Sequence, residues 1–301
     1  MQRLTMLSAT LMAALMLLSS SCSKEHYDPA NGGGNKGGQE QKLPDGVKEN
    51  GEWMSTSYMG FTFNIRKSVY NTAAAQEASD MMKANLKEIS ELMPEKFVEN
   101  AKKHVIWLEK DLTDGAAWFH AGSGWLADQY KTDKRYIPEK ANCVEMCNYV
   151  HYVEWTRQNQ PFMVLHEMCH QYHWTVLPNA FDNADVLDAY NTAMGLGLYV
   201  NTPYLLDARN GNGHQRIYIE HYDDTYNAKV YATTNQQEYF SEICEAYWGQ
   251  NDYYPFDYYD LKAYDKKGFA LMEKVWGKRN LPTTRPADWP YFGLDSVPSN
   301  K

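Results

Sequence analysis

The chain has 301 residues, of which 22% are charged and 44% are hydrophobic, and its formal net charge is -9. An acidic chain of this kind lacks the excess of lysine and arginine that neutralises phosphates, so we expect no nucleic-acid partner. Its five cysteines are too few for a disulfide-built scaffold, and a chain of this length does not need one.

Residues 1–21 have the pattern of a secretory signal peptide. Arg3 precedes a largely apolar run from Leu4 to Leu18, which is too short to span a membrane. Three serines then lead to Cys22, and this arrangement resembles a lipobox, whose cysteine is acylated and becomes the new N-terminus. The sequence therefore predicts an exported lipoprotein anchored through Cys22, at the outer membrane or cell surface of a Gram-negative bacterium. The alternative is ordinary secretion with cleavage near the serines.

A change of composition follows the cysteine. Residues 22–50 are rich in glycine and contain no apolar cluster, so we predict a flexible linker. Over residues 51–295 aromatic side chains are dense, and helical and extended patterns alternate. These features predict a single folded domain of the α+β class, rich in helix and with a small mixed sheet, and two lobes that share a cleft would fit equally well.

The segment 160–176 predicts an amphipathic helix. Pro161 suits the first turn of a helix. The apolar residues that recur at helical spacing are Phe162, Leu165, Cys169, Tyr172 and Val176.

The predicted helix carries the motif His166-Glu167-x-x-His170. Two histidines one turn apart can reach one metal ion, and Glu167 would lie on the flank where a metal-bound water sits. The alternative is a pair of hydrogen-bonded histidines without a metal, and a third ligand would decide between them.

A second helix is predicted between an N-cap at Asn235 and a stop at Gly249. Glu238 and Glu242 share one face of this helix. A catalytic zinc takes three protein ligands and an open position, so a carboxylate on this face could supply the third ligand. The alternative is that Glu238 completes a capping box with Asn235, and that Glu242 is a solvated surface acid.

The two segments together resemble a known family. The motif around His166 is followed by Tyr231-Ala232-x-Thr234-Asn235-x-x-Glu238-Tyr239-Phe240-Ser241-Glu242. This pattern is similar to the catalytic segment of gluzincin metallopeptidases related to anthrax toxin lethal factor and the Pro-Pro endopeptidases. The resemblance implies a zincin-like domain with two active-site helices. Within that domain it implies Zn²⁺ held by His166, His170 and Glu238, Glu167 as general base, Tyr231 as the hydroxyl that meets the oxyanion, and Glu242 as acceptor for a ligand histidine.

The activity that this resemblance implies is hydrolysis of a peptide or protein substrate by a zinc-activated water. The alternative is a catalytically inactive surface lipoprotein of zincin fold that binds peptide or glycan, and that can be free of zinc. The sequence leaves open the substrate, internal or terminal cleavage, the membrane face occupied and the oligomeric state.

Several other features suggest roles in a cleft. The extended segment Cys143–Val150 is interpreted as an edge strand that pairs with a substrate backbone. A disulfide between Cys143 and Cys147 is disfavoured, because four residues of strand separate them too far. The aromatic stretch 118–125 forms either a cleft rim or part of the core.

The remaining candidates lie on and after the first metal helix. His173 follows His170 by one turn and either contacts substrate or is an ordinary packed or surface histidine. We expect Cys169 and Cys244 to be buried packing residues off the metal faces. The long stretch between His170 and Glu238 is expected to form an extra subdomain.

Overall fold

The computed structural model describes residues 43–158, 160–200, 202–206, 217–219 and 230–297. The predicted signal peptide, the predicted lipidation residue Cys22 and most of the predicted linker lie outside these residues. The first strand begins at Val47, within the segment 22–50 that the sequence predicts as linker. Regular structure therefore begins before the expected boundary, because residues 47–50 pair along their length with the next strand.

Six strands form one mixed sheet in the spatial order β1-β2-β3-β4-β6-β5. The strands are β1 (Val47–Asn50), β2 (Trp53–Tyr58), β3 (Phe61–Arg66), β4 (Ile106–Leu108), β5 (Trp118–Phe119) and β6 (Val144–Met146). The first three are antiparallel, β4 is parallel to both β3 and β6, and β5 is antiparallel to β6. A separate antiparallel pair consists of β7 (Tyr204–Leu206) and β8 (Ile217–Ile219).

Helices provide most of the remaining described structure. They are α1 (Ala73–Leu92), α2 (Glu95–Ala101), α3 (Gly124–Gln129), α4 (Tyr149–Gln158), α5 (Met163–Thr175), α6 (Ala184–Gly195), α7 (Gln236–Trp248), α8 (Tyr258–Tyr264) and α9 (Lys266–Trp276). Short 3₁₀ turns lie at Pro138–Lys140, Ala180–Asp182 and Tyr231–Thr233. The predicted combination of a mixed sheet with a helix-rich remainder is confirmed. No helix within the described residues is both long and apolar enough to cross a membrane.

The predicted edge strand at Cys143–Val150 is wrong. Its central residues form β6, which pairs with β4 on one side and β5 on the other. Tyr149 already begins α4. The chain returns to the sheet at β5 before it enters β6, so the short strand β5 takes the edge position and β6 becomes interior.

Helix α5 confirms the predicted helix but not its predicted amphipathic pattern. Every residue from Met163 to His173 is buried, and Val176, predicted on the apolar stripe, is exposed. The cause is tertiary, since α5 contacts the sheet at β5 and β6 as well as α1, α2 and α7. Because little of this helix is exposed to solvent, its polar residues must find partners inside the protein.

The described part of the stretch between His170 and Glu238 packs into the main core. Helix α6 contacts α7 and α9, and its residues Val186, Ala189 and Ala193 are buried there. This part is therefore not a separate subdomain. The remainder of the stretch, including residues 207–216 and 220–229, lies outside the described residues.

Candidate metal centre

Helices α5 and α7 pack against each other and bring the two predicted motifs together. Asn235 accepts hydrogen bonds from the backbone N–H groups of Gln237 and Glu238, so the predicted N-cap is confirmed. Gly249 ends α7 directly over the ring of Phe162, where an added Cβ would lie only 2.4 Å from Cζ. A side chain at position 249 is therefore excluded unless the helix ends separate.

Cys169 of α5 and Cys244 of α7 lie in contact near the middle of the same helix pair. Both are buried and their Sγ atoms lie 2.9 Å apart as free thiols, which confirms them as buried residues of the α5–α7 contact. Cys143 and Cys147 are also free and buried.

Three side chains from the two helices converge on one point. Nε2 of His166 lies 3.1 Å from Oε2 of Glu238, and Nε2 of His170 lies 2.9 Å from the same oxygen. The Glu238 carboxylate thus contacts both histidines rather than completing a capping box with Asn235. Burial opposes ionisation of Glu238, yet hydrogen bonds with the two histidines outweigh it and lower the pKa of the carboxyl well below its usual value.

This donor set fits a zinc ion. Two imidazole nitrogens and one carboxylate oxygen form a common catalytic zinc set, in which a fourth position is left open. Ligands about 2.1 Å from a tetrahedral ion are roughly 3.4 Å apart. The separations of 2.9 and 3.1 Å in the protein are only slightly shorter, so a small outward shift of the three side chains would accommodate the ion.

The far sides of both imidazoles are held by residues of α7. Nδ1 of His166 lies 2.6 Å from Oε1 of Glu245, and Nδ1 of His170 lies 3.1 Å from Oγ of Ser241. An Nδ1–H donated to Glu245 leaves the Nε2 lone pair of His166 available to a metal.

Glu245 takes the position that the sequence analysis expected for Glu242, whose Oε1 lies 3.8 Å from Nδ1 of His166. Helical geometry explains the difference. Seven residues make almost two full turns, so Glu245 returns to the line of Glu238 one turn beyond Glu242. Glu242 instead accepts a hydrogen bond from Nδ2 of Asn251. The spacing of Glu238 and Glu245 is the signal that could have identified this partner.

Carboxylates are in excess around the metal centre. Glu167, Glu242, Glu245 and Asp252 are all buried, and Glu238 is mostly buried. Within the described part of the chain, none of them pairs with lysine or arginine. Burial and neighbouring carboxylates raise the pKa of Asp252 to about 8 and that of Glu242 well above its usual value. A bound cation would relieve this electrostatic cost.

Glu167 lies beside the ligand cluster and points into the cleft, where it lines two adjoining cavities. Burial raises the pKa of its carboxyl, and the nearby histidines oppose that rise. A carboxylate with a raised pKa is a stronger base than a solvated one, which suits a group that must accept a proton.

Tyr231 lies in the 3₁₀ turn 231–233, which packs against α7, and its side chain lines the cleft. Its ring centre is 5.9 Å from that of His166, and 42% of the residue is exposed. Desolvation, together with the charge of Glu238, raises the pKa of its phenol, which therefore remains a hydrogen-bond donor across the physiological range.

The cleft has two parts, which meet at Glu167 and Tyr231. A cavity of about 530 Å³ extends on the side of His170 and Glu238, and one of about 250 Å³ extends on the side of His166 and Glu245. The aromatic stretch 118–125 lines the larger cavity, so it forms a cleft wall as well as contributing Phe119 and His120 to the interior.

His173 is a packed histidine and does not reach the cleft. It is fully buried, and its ring contacts Phe181 and Phe240. Burial lowers the pKa of its imidazole to about 3, so it is neutral. A role in contacting substrate is therefore not supported.

No protein-family model, no curated protein and no solved structure matches this chain.

Proposed function

We propose that this protein is a zinc-dependent peptidase with a zincin-like fold. The observation that carries the proposal is the convergence of His166 Nε2, His170 Nε2 and Glu238 Oε2 on one wall of an open cleft, beside Glu167 and Tyr231. The excess of buried carboxylates around this point adds a separate reason for a divalent cation.

The chemistry that a zinc ion supplies when bound is Lewis acidity, which lowers the pKa of water and polarises a carbonyl group. His166, His170 and Glu238 would hold the ion, while Glu245 and Ser241 keep the two imidazoles oriented.

Glu167 is the proposed general base. Its carboxylate accepts a proton from the attacking water and later returns it to the leaving amine, as the raised pKa of the buried group favours. Tyr231 is the proposed oxyanion donor, because its protonated phenol lies at the junction of the two cavities.

Strand β5 is the proposed site for the substrate backbone. It forms one edge of the sheet, and residues 117–122 line the larger cavity beside His170 and Glu238. The backbone groups on the open side of an edge strand can pair with an extended peptide. The peptide would then run past Glu167 and Tyr231.

The test combines metal analysis with a peptide-library digest of residues 43–301. We expect about one tightly bound zinc per chain and peptide cleavage that a chelator abolishes. Glu167→Gln should keep the metal and lose turnover. A protein with no zinc and no cleavage would instead support the inactive surface lipoprotein that binds peptide or glycan.

Tyr231→Phe tests the role of the phenol. The change keeps the ring but removes the hydroxyl, so kcat should fall by about 10²-fold or more while KM and zinc content change little. The measurement is steady-state hydrolysis of a peptide found in the library. Full kcat in this variant would remove Tyr231 from the mechanism but would leave the zinc site intact.

We also propose that the protein is exported and anchored through acylated Cys22, with residues 1–21 removed as a signal peptide. Replacing Cys22 with alanine removes the thiol that would be acylated, so this change should release the protein from membranes. Membrane fractionation of cells that produce each form is the measurement. Unchanged retention of the Cys22→Ala form would contradict the lipid anchor.

A further inference from the structure

The lining of the cavity of about 530 Å³ has two chemically different parts. One part consists of polar groups of the candidate metal centre, namely Glu167, His170 and Glu238. The other part, here called the aromatic wall, includes Trp118, Trp125 and Phe181. The cavity volume lies within the range of small-molecule and side-chain binding sites.

Two tryptophans dominate the aromatic wall. Trp118 and Trp125 are each 40% exposed, and their ring centres lie 4.6 Å apart at an angle of 52°. The pair comes from different elements, since Trp118 lies on the edge strand β5 and Trp125 on the helix α3. Large aromatic rings that remain open to solvent inside a cleft are typical of a binding surface.

The Trp125 ring packs against two rings besides that of Trp118. It stacks on His120, with ring centres 5.8 Å apart and an interplanar angle of 18°. The Tyr136 ring lies nearly perpendicular to it, with ring centres 5.2 Å apart. His120 is buried, and its Nε2 lies 2.6 Å from Oε2 of the fully buried Glu145. The aromatic wall is therefore fixed before any ligand arrives, which reduces the entropy lost on binding.

Buried charges fix Glu145 in turn. Its other oxygen contacts the ammonium group of Lys140, which also lies 3.3 Å from Oε2 of Glu109. Arg66 closes the network with two hydrogen bonds to Glu109, of 2.7 and 2.8 Å. An ordinary surface pair of tryptophans would not require such support.

The arrangement of rings in the cavity favours an aromatic ligand. Phe181 presents its ring nearly perpendicular to those of Phe119 and His170, at 6.2 and 6.4 Å, so the wall offers both faces and edges. Aromatic rings pair preferentially in tilted and edge-to-face geometries of this kind. Among the described residues that line the cavity there is no lysine or arginine, so the lining offers no cationic side chain of that kind to an anionic group.

We propose that this cavity binds an aromatic side chain of the peptide substrate, close to the bond that is cleaved. The inference rests on the proposed peptidase function. It goes further because it assigns a substrate class and makes Trp118 and Trp125 residues that determine specificity.

The test compares two synthetic peptides that differ only in phenylalanine or alanine at the preferred position found in the library digest. Wild-type protein should cleave the phenylalanine peptide with a kcat/KM about 10²-fold higher. A single methylene group in an apolar pocket already gives roughly 10-fold discrimination, and the side chain of phenylalanine is larger than that of alanine by a whole aromatic ring. In Trp125→Ala the ratio should fall below about 10-fold. Trp118→Ala provides a second variant in case Trp125→Ala does not fold, and Tyr130→Ala, an exposed aromatic residue at the end of α3 outside the cavity lining, is the matched control.

Cleavage without aromatic preference, or a preference that survives both tryptophan variants in folded, zinc-loaded protein, would overturn the pocket assignment but not the peptidase proposal. If wild-type protein cleaves no peptide, the peptidase proposal fails, and binding then tests the pocket by itself. Calorimetric binding of a blocked phenylalanine dipeptide that is weakened in Trp125→Ala would support the aromatic pocket. Binding of an N-acetylglucosamine oligomer alone would overturn it in favour of a glycan site.

Discussion

Two clusters of buried charge in this protein differ in how their charges balance. In the network of Arg66, Glu109, Lys140 and Glu145, two cations face two carboxylates at hydrogen-bond distance. At the metal centre five buried or mostly buried carboxylates face only two ligand histidines, with no lysine or arginine partner among the described residues.

We interpret the balanced network as structural and the unbalanced cluster as the proposed metal site. A balanced and hydrogen-bonded network can remain buried without any ligand, and here it supports β6 and the wall of the cleft. An excess of buried negative charge is costly unless a cation is bound or protons are taken up. The raised pKa of Asp252 reflects this cost.

Breaking the balanced network should have the largest effect on stability. Lys140→Met leaves Glu109 and Glu145 without their shared cation, so the free energy of unfolding should fall by about 3–5 kcal/mol. Denaturant unfolding is the measurement, and the folded fraction should still bind zinc. Lys131→Met is the matched control, because the Lys131–Asp128 pair is exposed to solvent and should contribute little to stability. Equal effects of the two changes would contradict the structural role of the network.

Metal removal tests the unbalanced cluster. Because zinc would bind the folded chain only, a free concentration about 1,000-fold above Kd should stabilise it by about 4 kcal/mol and raise Tm by roughly 10 °C. Thermal scans with chelator and with restored zinc would measure this shift. Glu238→Gln should abolish most of the response, whereas a shift that persists in this variant would place the ion elsewhere.

Variants of Glu245 and Glu242 test which of the two glutamates orients the ligand His166. Glu245→Gln should weaken zinc binding by about 10–100-fold, because Glu245 orients His166. Glu242→Gln should have a smaller effect, since Glu242 is farther from the imidazole and is bonded to Asn251. Zinc titration against a competing chelator measures both affinities. A larger loss in Glu242→Gln would restore the role that the sequence motif implies.

The smallest expected effect concerns the junction of the two metal helices. Gly249→Ala places a methyl group against Phe162, so the free energy of unfolding should fall by about 1–3 kcal/mol. Gly195→Ala is the control, because no atom would lie within 4 Å of its added Cβ, and it should be neutral or slightly stabilising. Similar stabilities for both variants would show that the end of α7 can move away from Phe162.

The sequence by itself determined the local features of the site. Helical periodicity and the residue types at the helix ends predicted α5 and α7, including the N-cap at Asn235 and the stop at Gly249, because such signals act within one or two turns. The spacing of His166 and His170 likewise fixed which two imidazoles share a face. The role of this face in holding zinc and catalysing hydrolysis stays a prediction.

Only the tertiary structure decided which distant groups meet. Glu245 reaches His166 across 79 residues of chain, α5 is buried from Met163 to His173, and the strand at this edge of the sheet is β5 rather than β6. The aromatic wall likewise joins Phe181 to the tryptophans of β5 and α3. These outcomes depend on the packing of whole elements against one another, and local spacing carries no information about which faces that packing will cover.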